Sequence, residues 1–421
     1  MAAPPVPIVE QHGGYRPEIE GLRAVAVLAV LFFHVGLPMH GGYIGVDVFF
    51  VISGFLITQN IVRDQRAGIF TFARFYVRRI RRLFPALATT LLLTLAAGRL
   101  FLAPHDMAQL GEVTLLAVVS LSNVHFWREI GYFDSAADLK PLLHTWSLSV
   151  EEQFYLLWPA VVVAASRFGR SRALAAVVAA IGIASFAGAE LFRTSDPGAV
   201  FYLMPFRMFE LCSGAVLSAL NPQRPRQQFA QLATAVGLSV VAYCAIRFDA
   251  HTAQQHYRAL LPCVGTVLVI YGGSNSWSSP LLSNRLVLGV GAMSYSLYLV
   301  HWPVITFYRY VRHEEPASVD KLALVAGCLV LAAGMYWLVE RRFRSGNRAG
   351  RSPVGARTAM FASAVAALAV STLAAHAWQT AGWPARLPAE LGAIPSETDL
   401  WTERNRHARV GSCFIYVPTE T

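Results

Sequence analysis

The chain is dominated by apolar runs long enough to cross a lipid bilayer. A membrane-spanning helix needs about 20 mostly apolar residues, and eleven runs of roughly that length occur: 22–38, 43–61, 83–103, 145–166, 173–193, 201–220, 229–246, 258–273, 286–309, 320–340 and 356–378. Hydrophobic residues make up 55% of the 421 positions and charged residues 14%, against about 25% charged in soluble domains. We therefore predict an all-α polytopic membrane helix bundle, which excludes an ordinary soluble enzyme, a disordered chain and a nucleic-acid binder with a broad basic face.

The basic residues cluster in loops between these runs. The four basic loops are 62–82, 341–357, 167–172 and 221–228. Because cytoplasmic loops carry the excess of Lys and Arg, we expect all four on the cytoplasmic side. A twelfth run, 108–126, is rich in polar residues, and counting it as a span would place the two largest clusters on opposite sides. We therefore predict that 104–143 is an external segment, with the N-terminus inside and the tail from about 379 outside.

The first apolar run carries ionisable side chains, which are costly in a bilayer and favour a functional role. Arg23 and His34 are eleven residues apart, so they share one helix face and lie about 16 Å apart along the axis. Glu20 lies three residues before Arg23, close enough for an ion pair. One face thus presents a cation near the inner surface and a base near the outer one. A snorkelling arginine and a structurally satisfied histidine are the alternative.

The second run follows His34 through two adjacent glycines, Gly41 and Gly42. Such a pair permits a tight external turn. Asp47 follows within the run, and we expect it to orient the histidine through its second ring nitrogen. A helix cap or a partner for an arginine is the alternative role for Asp47.

A basic segment, RFYVRRIRRLFPAL, precedes the third run. It contains two overlapping R-x-x-R pairs, Arg78 with Arg81 and Arg79 with Arg82. Residues three apart are neighbours on a helix, so each pair can bind a phosphate through forked hydrogen bonds. The alternative is a charge cluster that only sets the topology.

The run that starts at 145 combines a histidine, a serine and two acids in HTWSLSVEEQFYLLWP. His144, Ser147 and Glu151 share one helix face, and Glu152 lies beside it. Two adjacent acids within a span are hard to explain by packing, so we interpret this face as functional.

Three further polar side chains lie in later runs. Arg207 and Glu210 are three residues apart, which predicts an ion pair of structural role. His301 lies within a run, where a lone histidine is most often structural. The five cysteines show no CxxC or metal-ligand spacing, so neither a zinc site nor a disulfide framework is expected. The motifs of serine hydrolases, P-loops, dinucleotide folds and zincins are missing from the sequence.

The polar segments together resemble a known family. In chain order they are EIEGLRAVAVLAVLFFH, GGYIGVDVFFVISGFLIT, FYVRRIRRLFPAL, HTWSLSVEEQFYLLWP, PFRMFELCSGAVL and SYSLYLVHWP. These six resemble, in the same order, the motifs of the bacterial membrane-bound acyltransferase type 3 family. The resemblance covers residues from about 15 to 345.

The resemblance implies a ten-span acyltransferase core that moves an acyl group, usually acetyl from acetyl-CoA, to a sugar hydroxyl of an envelope glycan such as O-antigen or exopolysaccharide. It implies the bacterial inner membrane and no metal. A subgroup adds an eleventh span and a periplasmic SGNH domain, and this chain looks like that subgroup cut short, because no Gly-Asp-Ser block follows Cys413. The implied division is a cytoplasmic tail 1–14, the acyltransferase domain 15–345, a basic loop and eleventh span 346–378, and a periplasmic linker 379–421.

Residue by residue, the resemblance implies roles for positions that match the family motifs. The family's essential pair falls on Arg23 and His34, its turn on Gly41 and Gly42, its donor-contacting loop on Arg79 and Arg82, and its acidic signature on Glu151 and Glu152. Arg78 and Arg81 overlap the donor-contacting pair.

These expectations combine into one reaction. Acyl-CoA is expected at the inner arginines, and His34 is expected to act as general base on the acceptor hydroxyl, with Asp47 or Glu151 orienting it. A covalent acyl-histidine relay is equally compatible with the residues. Two other functions stay open at this point, a transporter or flippase for an anionic lipid or glycan, and an inactive scaffold. A transporter is expected to show inverted repeats or broken helices, and the sequence shows no such pair.

Overall fold

A computed structural model describes residues 16–129, 137–167, 171–222, 225–249, 256–273, 279–312, 314, 316–344 and 354–386. Within these ranges the chain is helical and contains no strand. The N-terminal tail 1–14, most of the basic loop and most of the linker predicted for 379–421 lie outside the described residues.

The helices follow the apolar runs closely. In chain order they are α1 Pro17–Val35, α2 Gly45–Arg66, α3 Phe72–Phe101, α4 Pro104–Val118, α5 Ser122–Glu129, α6 Thr145–Ser166, α7 Ser171–Phe192, α8 Pro197–Tyr202, α9 Met204–Leu220, α10 Gln227–Arg247, α11 Leu260–Gly272, α12 Ser279–Ser283, α13 Arg285–Ala292, α14 Ser294–Arg312, α15 Ser318–Met335 and α16 Ala356–Gln379. A π-helical turn, Tyr336–Glu340, and a last turn, Arg341–Phe343, extend α15.

Seven helical stretches in the described ranges are long and apolar enough to cross a membrane: Gly42–Arg66, Phe72–Phe101, Arg172–Phe192, Pro197–Leu220, Gln227–Arg247, Ser318–Phe343 and Ala356–Gln379. This confirms the predicted class, an all-α polytopic membrane bundle. Helices α1, α6 and α14 fall outside this set, and each of them carries ionisable side chains within its apolar run. Three of those side chains, Arg23, His34 and Glu151, line the cavities described below.

Two predicted spans are interrupted. The run 201–220 breaks at Leu203, whose extended backbone separates α8 from α9, and Pro205 at the start of α9 cannot donate a backbone hydrogen bond. The run 286–309 breaks at Met293, between α13 and α14. The sequence indicated no pair of Gly/Pro-broken spans in matching halves, and these two interruptions were not predicted.

Small residues let the central helices approach closely. A Cβ atom built on Gly54 of α2 would lie 1.8 Å from the Leu211 carbonyl oxygen of α9, and one on Gly214 would lie 1.9 Å from the Val51 carbonyl oxygen. The two glycines therefore face the opposite backbones across one crossing. Because helices in lipid gain no hydrophobic free energy from associating, close van der Waals contacts at such small residues stabilise their packing.

The predicted external segment forms two short helices rather than one span. Helix α4 packs against α16, where a Cβ on Gly111 would lie 2.6 Å from the Ala374 carbonyl oxygen. Helix α5 ends at Glu129, whose carboxylate oxygens lie 3.0 Å from His125 Nε2 and 2.8 Å from Lys140 Nζ. Burial opposes ionisation of Glu129, but the hydrogen bond to His125 and the charge of Lys140 outweigh burial and lower its pKa to about 2.

We expect Gly54→Ala to destabilise the protein by roughly 1–3 kcal/mol, because the added methyl group must displace the α9 backbone. The control is Gly327→Ala in α15, where a Cβ would meet nothing within 4 Å and alanine favours helix by about 1 kcal/mol. Thermal unfolding in detergent measures both. Equal midpoints for the two variants would contradict the close crossing of α2 and α9.

Candidate active site

Two cavities lie inside the bundle, and α1 carries an ionisable side chain into each. The histidine cavity, about 760 Å³ of empty space, contains His34 in its wall. The arginine cavity, about 720 Å³, contains Arg23. The predicted face with a cation at one end and an imidazole at the other thus lines two separate compartments.

The arginine cavity gathers three guanidinium groups, those of Arg23, Arg79 and Arg82. Arg79 lies over the ring of Tyr155, with the guanidinium carbon 4.9 Å from the ring centroid. None of the three has an ion-pair partner within 4 Å among the described residues. Most of the remaining wall is apolar and comes largely from α2. The compartment therefore suits an anionic ligand that also has an apolar part.

The overlapping R-x-x-R pairs have different surroundings. Arg78 donates to Asp64 at 2.6 Å, and Arg81 donates to the Val354 carbonyl oxygen at 2.7 Å. Both are thus committed to contacts with the protein, and neither lines the arginine cavity. Of the four, Arg79 and Arg82 line it, so the phosphate site predicted for Arg78 with Arg81 is not part of this cavity.

Glu151 lines the arginine cavity and not the histidine cavity. Its carboxylate accepts hydrogen bonds from Ser53 of α2 and Tyr155 of α6. Glu152 is half-buried and lies outside the described walls of both cavities.

The imidazole of His34 is held by a second histidine. His34 Nδ1 lies 3.1 Å from His301 Nε2, and His301 Nδ1 lies 2.7 Å from the Tyr298 carbonyl oxygen. A carbonyl oxygen only accepts, so His301 carries its proton on Nδ1 and its Nε2 accepts from His34. Because His34 Nδ1 donates to this acceptor, neutral His34 carries its proton on Nδ1 and its lone pair on Nε2. A general base requires such a free lone pair.

Asp47 does not orient this histidine. Its carboxylate accepts from Arg207 Nη2 at 2.7 Å, and Arg207 Nε lies 3.1 Å from Glu210. The Arg207–Glu210 ion pair predicted from their spacing is confirmed, and Asp47 joins it from α2. The expectation that Asp47 or Glu151 orients His34 is therefore wrong. Both carboxylates face nearer hydrogen-bond donors, and the partner of His34 is His301.

The Glu20–Arg23 pair is not formed within 4 Å in the described structure. Glu20 instead packs its backbone against α13, where a Cβ on Gly291 would lie 2.1 Å from the Glu20 carbonyl oxygen. Arg23 turns towards the arginine cavity.

The predicted face of α6 runs along both cavities. His144 lines the histidine cavity, Ser147 and Glu151 line the arginine cavity, and the rings of His144 and His301 lie 5.8 Å apart between centroids. Three histidines therefore converge, yet the described residues contain no group of His, Cys, Asp and Glu arranged to hold a metal ion.

The two glycines beside His34 are required by contact rather than by backbone conformation. A Cβ on Gly41 would lie 2.1 Å from the Cys244 carbonyl oxygen, and one on Gly42 would lie 2.1 Å from the Ala29 carbonyl oxygen. Gly41 has φ −92°, which any residue adopts. The missing side chains of Gly41 and Gly42 allow the turn to pack closely against the backbones of α10 and α1.

Three residues of α14 were not predicted from the sequence. Tyr298 lines both cavities, Trp302 packs its ring 4.6 Å from that of His34, and Arg309 donates to the His34 carbonyl oxygen at 3.0 Å. The spacing of Tyr298 and Trp302 around His301, three residues before and one after, places all three near one face. This spacing could have indicated from the sequence that Tyr298 and Trp302 lie beside His301.

Comparison with known proteins gives one family. A family model described as an acyltransferase domain matches residues 16–376. The chain is 31% identical over 350 residues to the peptidoglycan O-acetyltransferase OatA of Listeria monocytogenes, covering 78% of this chain and 56% of the relative. It is 32% identical over 357 residues to the putative peptidoglycan O-acetyltransferase YrhL of Bacillus subtilis, covering 80% and 56%.

A third relative is matched over most of its length. This is the putative membrane-bound transacylase BcsY of Komagataeibacter xylinus, 32% identical over 354 residues, with 84% of this chain and 88% of the relative covered. The chain thus spans little more than half the length of the first two relatives. No solved structure matches the chain.

We expect Arg207→Leu to destabilise the protein by about 3–5 kcal/mol, because it leaves Asp47 and Glu210 buried without their cation. The control is Arg193→Leu, since Arg193 forms a pair of the same spacing with Glu190 at 3.2 Å but is half exposed. Such a surface pair contributes about 0–1 kcal/mol. Thermal unfolding in detergent distinguishes the two, and similar losses would show that the buried triad has no special weight.

Proposed function

We infer the function of this chain from its family: the chain belongs to the acyltransferase family whose domain it matches over residues 16–376. We propose that it is a membrane O-acetyltransferase that moves an acetyl group from acetyl-CoA to a sugar hydroxyl of a cell-envelope glycan. The observation that carries this proposal is the pairing of an arginine-lined cavity with a histidine-lined cavity along α1.

The arginine cavity is the proposed donor site. Acetyl-CoA carries several phosphate groups, which guanidinium groups bind through forked hydrogen bonds. Arg23, Arg79 and Arg82 supply three such groups with no carboxylate partner within 4 Å in the described part of the chain. The apolar wall from α2 suits the thioester arm. The arginine-rich loops favour the cytoplasm for this end of the bundle, which is where the donor is made.

His34 is the proposed general base. Its Nε2 takes the proton of the acceptor hydroxyl as the oxygen forms a bond to the thioester carbonyl carbon. The carbon–sulfur bond then breaks, and the CoA thiolate leaves and takes the proton from the imidazolium. An acyl-histidine route begins instead with attack of the same Nε2 on the thioester. Both routes need the tautomer that His301 supports.

We propose that the acceptor is a glycan of the cell envelope. One relative is named as a peptidoglycan O-acetyltransferase and a second as a putative one, which supports a polymeric sugar as acceptor. Peptidoglycan, O-antigen and exopolysaccharide all present sugar hydroxyls. Analysis of each polymer with and without the gene separates them, since the modified one gains about 42 Da per acetylated sugar.

We expect His34→Ala to abolish acetylation of the glycan, because loss of a general base lowers the rate by about 10²–10⁴. The control is His105→Ala, since His105 is exposed and its side chain is hydrogen-bonded to Gln109 in the next turn. Polymer acetylation is measured in cells that express each variant at equal membrane levels. Wild-type acetylation with His34→Ala would exclude the proposed role of His34.

We expect Arg82→Gln to raise the KM for acetyl-CoA roughly 10- to 100-fold, since a hydrogen bond to a charged group contributes about 1.5–3 kcal/mol. The control is Arg74→Gln on the same helix, whose side chain is exposed and lies outside the cavity. Initial rates with purified protein in nanodiscs give both constants. An unchanged KM in Arg82→Gln would place the donor phosphates elsewhere.

A further inference from the structure

The two cavities meet at a single level of the bundle, which three helices mark independently. On α2, Val46 lines both cavities, with Asp47 also in the histidine cavity and Phe49 onward in the arginine cavity. On α14, Tyr298 lines both cavities. On α6, Trp146 lines the histidine cavity and the next residue, Ser147, lines the arginine cavity. Val46 and Tyr298 are the two residues that the two walls have in common.

This wall is held by hydrogen bonds. The hydroxyls of Tyr298 and Ser147 lie 2.5 Å apart, and the Tyr298 hydroxyl donates to the His144 carbonyl oxygen at 3.2 Å. Tyr298 is only 7% exposed, and its ring packs edge-on to Phe49, with centroids 6.2 Å apart. The wall is thus a fixed surface in this conformation and not a loose side chain.

The arginine cavity is long. On α2 its wall runs from Val46 to Ile57, which corresponds to about 16 Å of helix axis. Tyr155, whose ring lies under the guanidinium of Arg79, donates to Ser53, which is seven residues or about 10 Å along α2 from Val46. An anionic donor with a phosphate at Arg79 can therefore direct its far end at Val46 and Tyr298.

We propose that Val46 and Tyr298 determine the length of the acyl group this enzyme accepts. This inference rests on the proposed function, because it takes the arginine cavity as the donor site. A short acyl group fits against the wall, and each added methylene must displace Val46 or the ring of Tyr298. One methylene too many in a closed apolar pocket lowers kcat/KM by about 10- to 200-fold.

The test compares acyl-CoA donors of two to four carbons with the wild type, Val46→Ala and Val46→Leu. We expect Val46→Ala to raise the butyryl-to-acetyl ratio of kcat/KM about 10-fold, and Val46→Leu to lower it. The control is Val48→Ala, since Val48 is fully buried on the same helix and lines neither cavity. Its ratio should equal that of the wild type.

A binding measurement tests the same prediction in variants that fold but have too little activity for kinetic analysis. The affinities of S-ethyl-CoA and S-butyl-CoA, which are thioethers and cannot react, should show the same shift in Val46→Ala. Unchanged ratios in both turnover and binding, with acetyl transfer intact, would overturn the length-determining role and leave the proposed function standing. Wild-type protein that transfers no acyl group from any donor would overturn the proposed function instead, and the thioether ratio would then decide whether Val46 limits the cavity.

Discussion

The structure depends on the cost of holding ionisable groups inside a bundle surrounded by lipid. Hydrocarbon offers such groups no hydrogen bonds, so each must meet a polar partner or a cavity. Asp47 of α2 and Glu210 of α9 give the first example, since both carboxylates lie against the guanidinium of Arg207. The cavity arginines are the second, since their guanidinium groups face a compartment where water or an anionic ligand can solvate them.

Much of this could be predicted from the sequence, because it depends on local periodicity. The spacing of Arg23 and His34 was enough to place them at the two ends of one helix face, and the three-residue step between Arg207 and Glu210 was enough for their ion pair. The face shared by His144, Ser147 and Glu151 follows from the same rule. Each of these predictions concerns residues on a single helix, where 3.6 residues per turn fixes the geometry.

The failed predictions concern contacts between helices, which spacing does not encode. Asp47 had two candidate partners, a histidine and an arginine, and the choice of Arg207 depends on how α9 crosses α2. His301 is 267 positions from His34, so only the packing of α14 against α1 brings the rings together. The two overlapping arginine pairs differ in their surroundings because Arg78 donates to Asp64 and Arg81 donates to the Val354 carbonyl oxygen, both from other parts of the chain.

The same helix, α14, supports the imidazole of His34 and contributes Tyr298 to the wall between the two cavities, and this restricts how the wall can open. The Tyr298 carbonyl oxygen accepts the proton of His301 Nδ1, while the Tyr298 side chain forms the wall. A shift of the backbone at this position would break the chain of hydrogen bonds that sets the tautomer of His34. A rotation of the Tyr298 side chain breaks its hydrogen bonds with Ser147 and the His144 carbonyl, and its ring contacts with Phe49 and two histidines, but it leaves the Tyr298 carbonyl oxygen on His301 Nδ1. Rotation of this side chain, unlike movement of α14, therefore preserves the hydrogen bonds that fix the tautomer of His34.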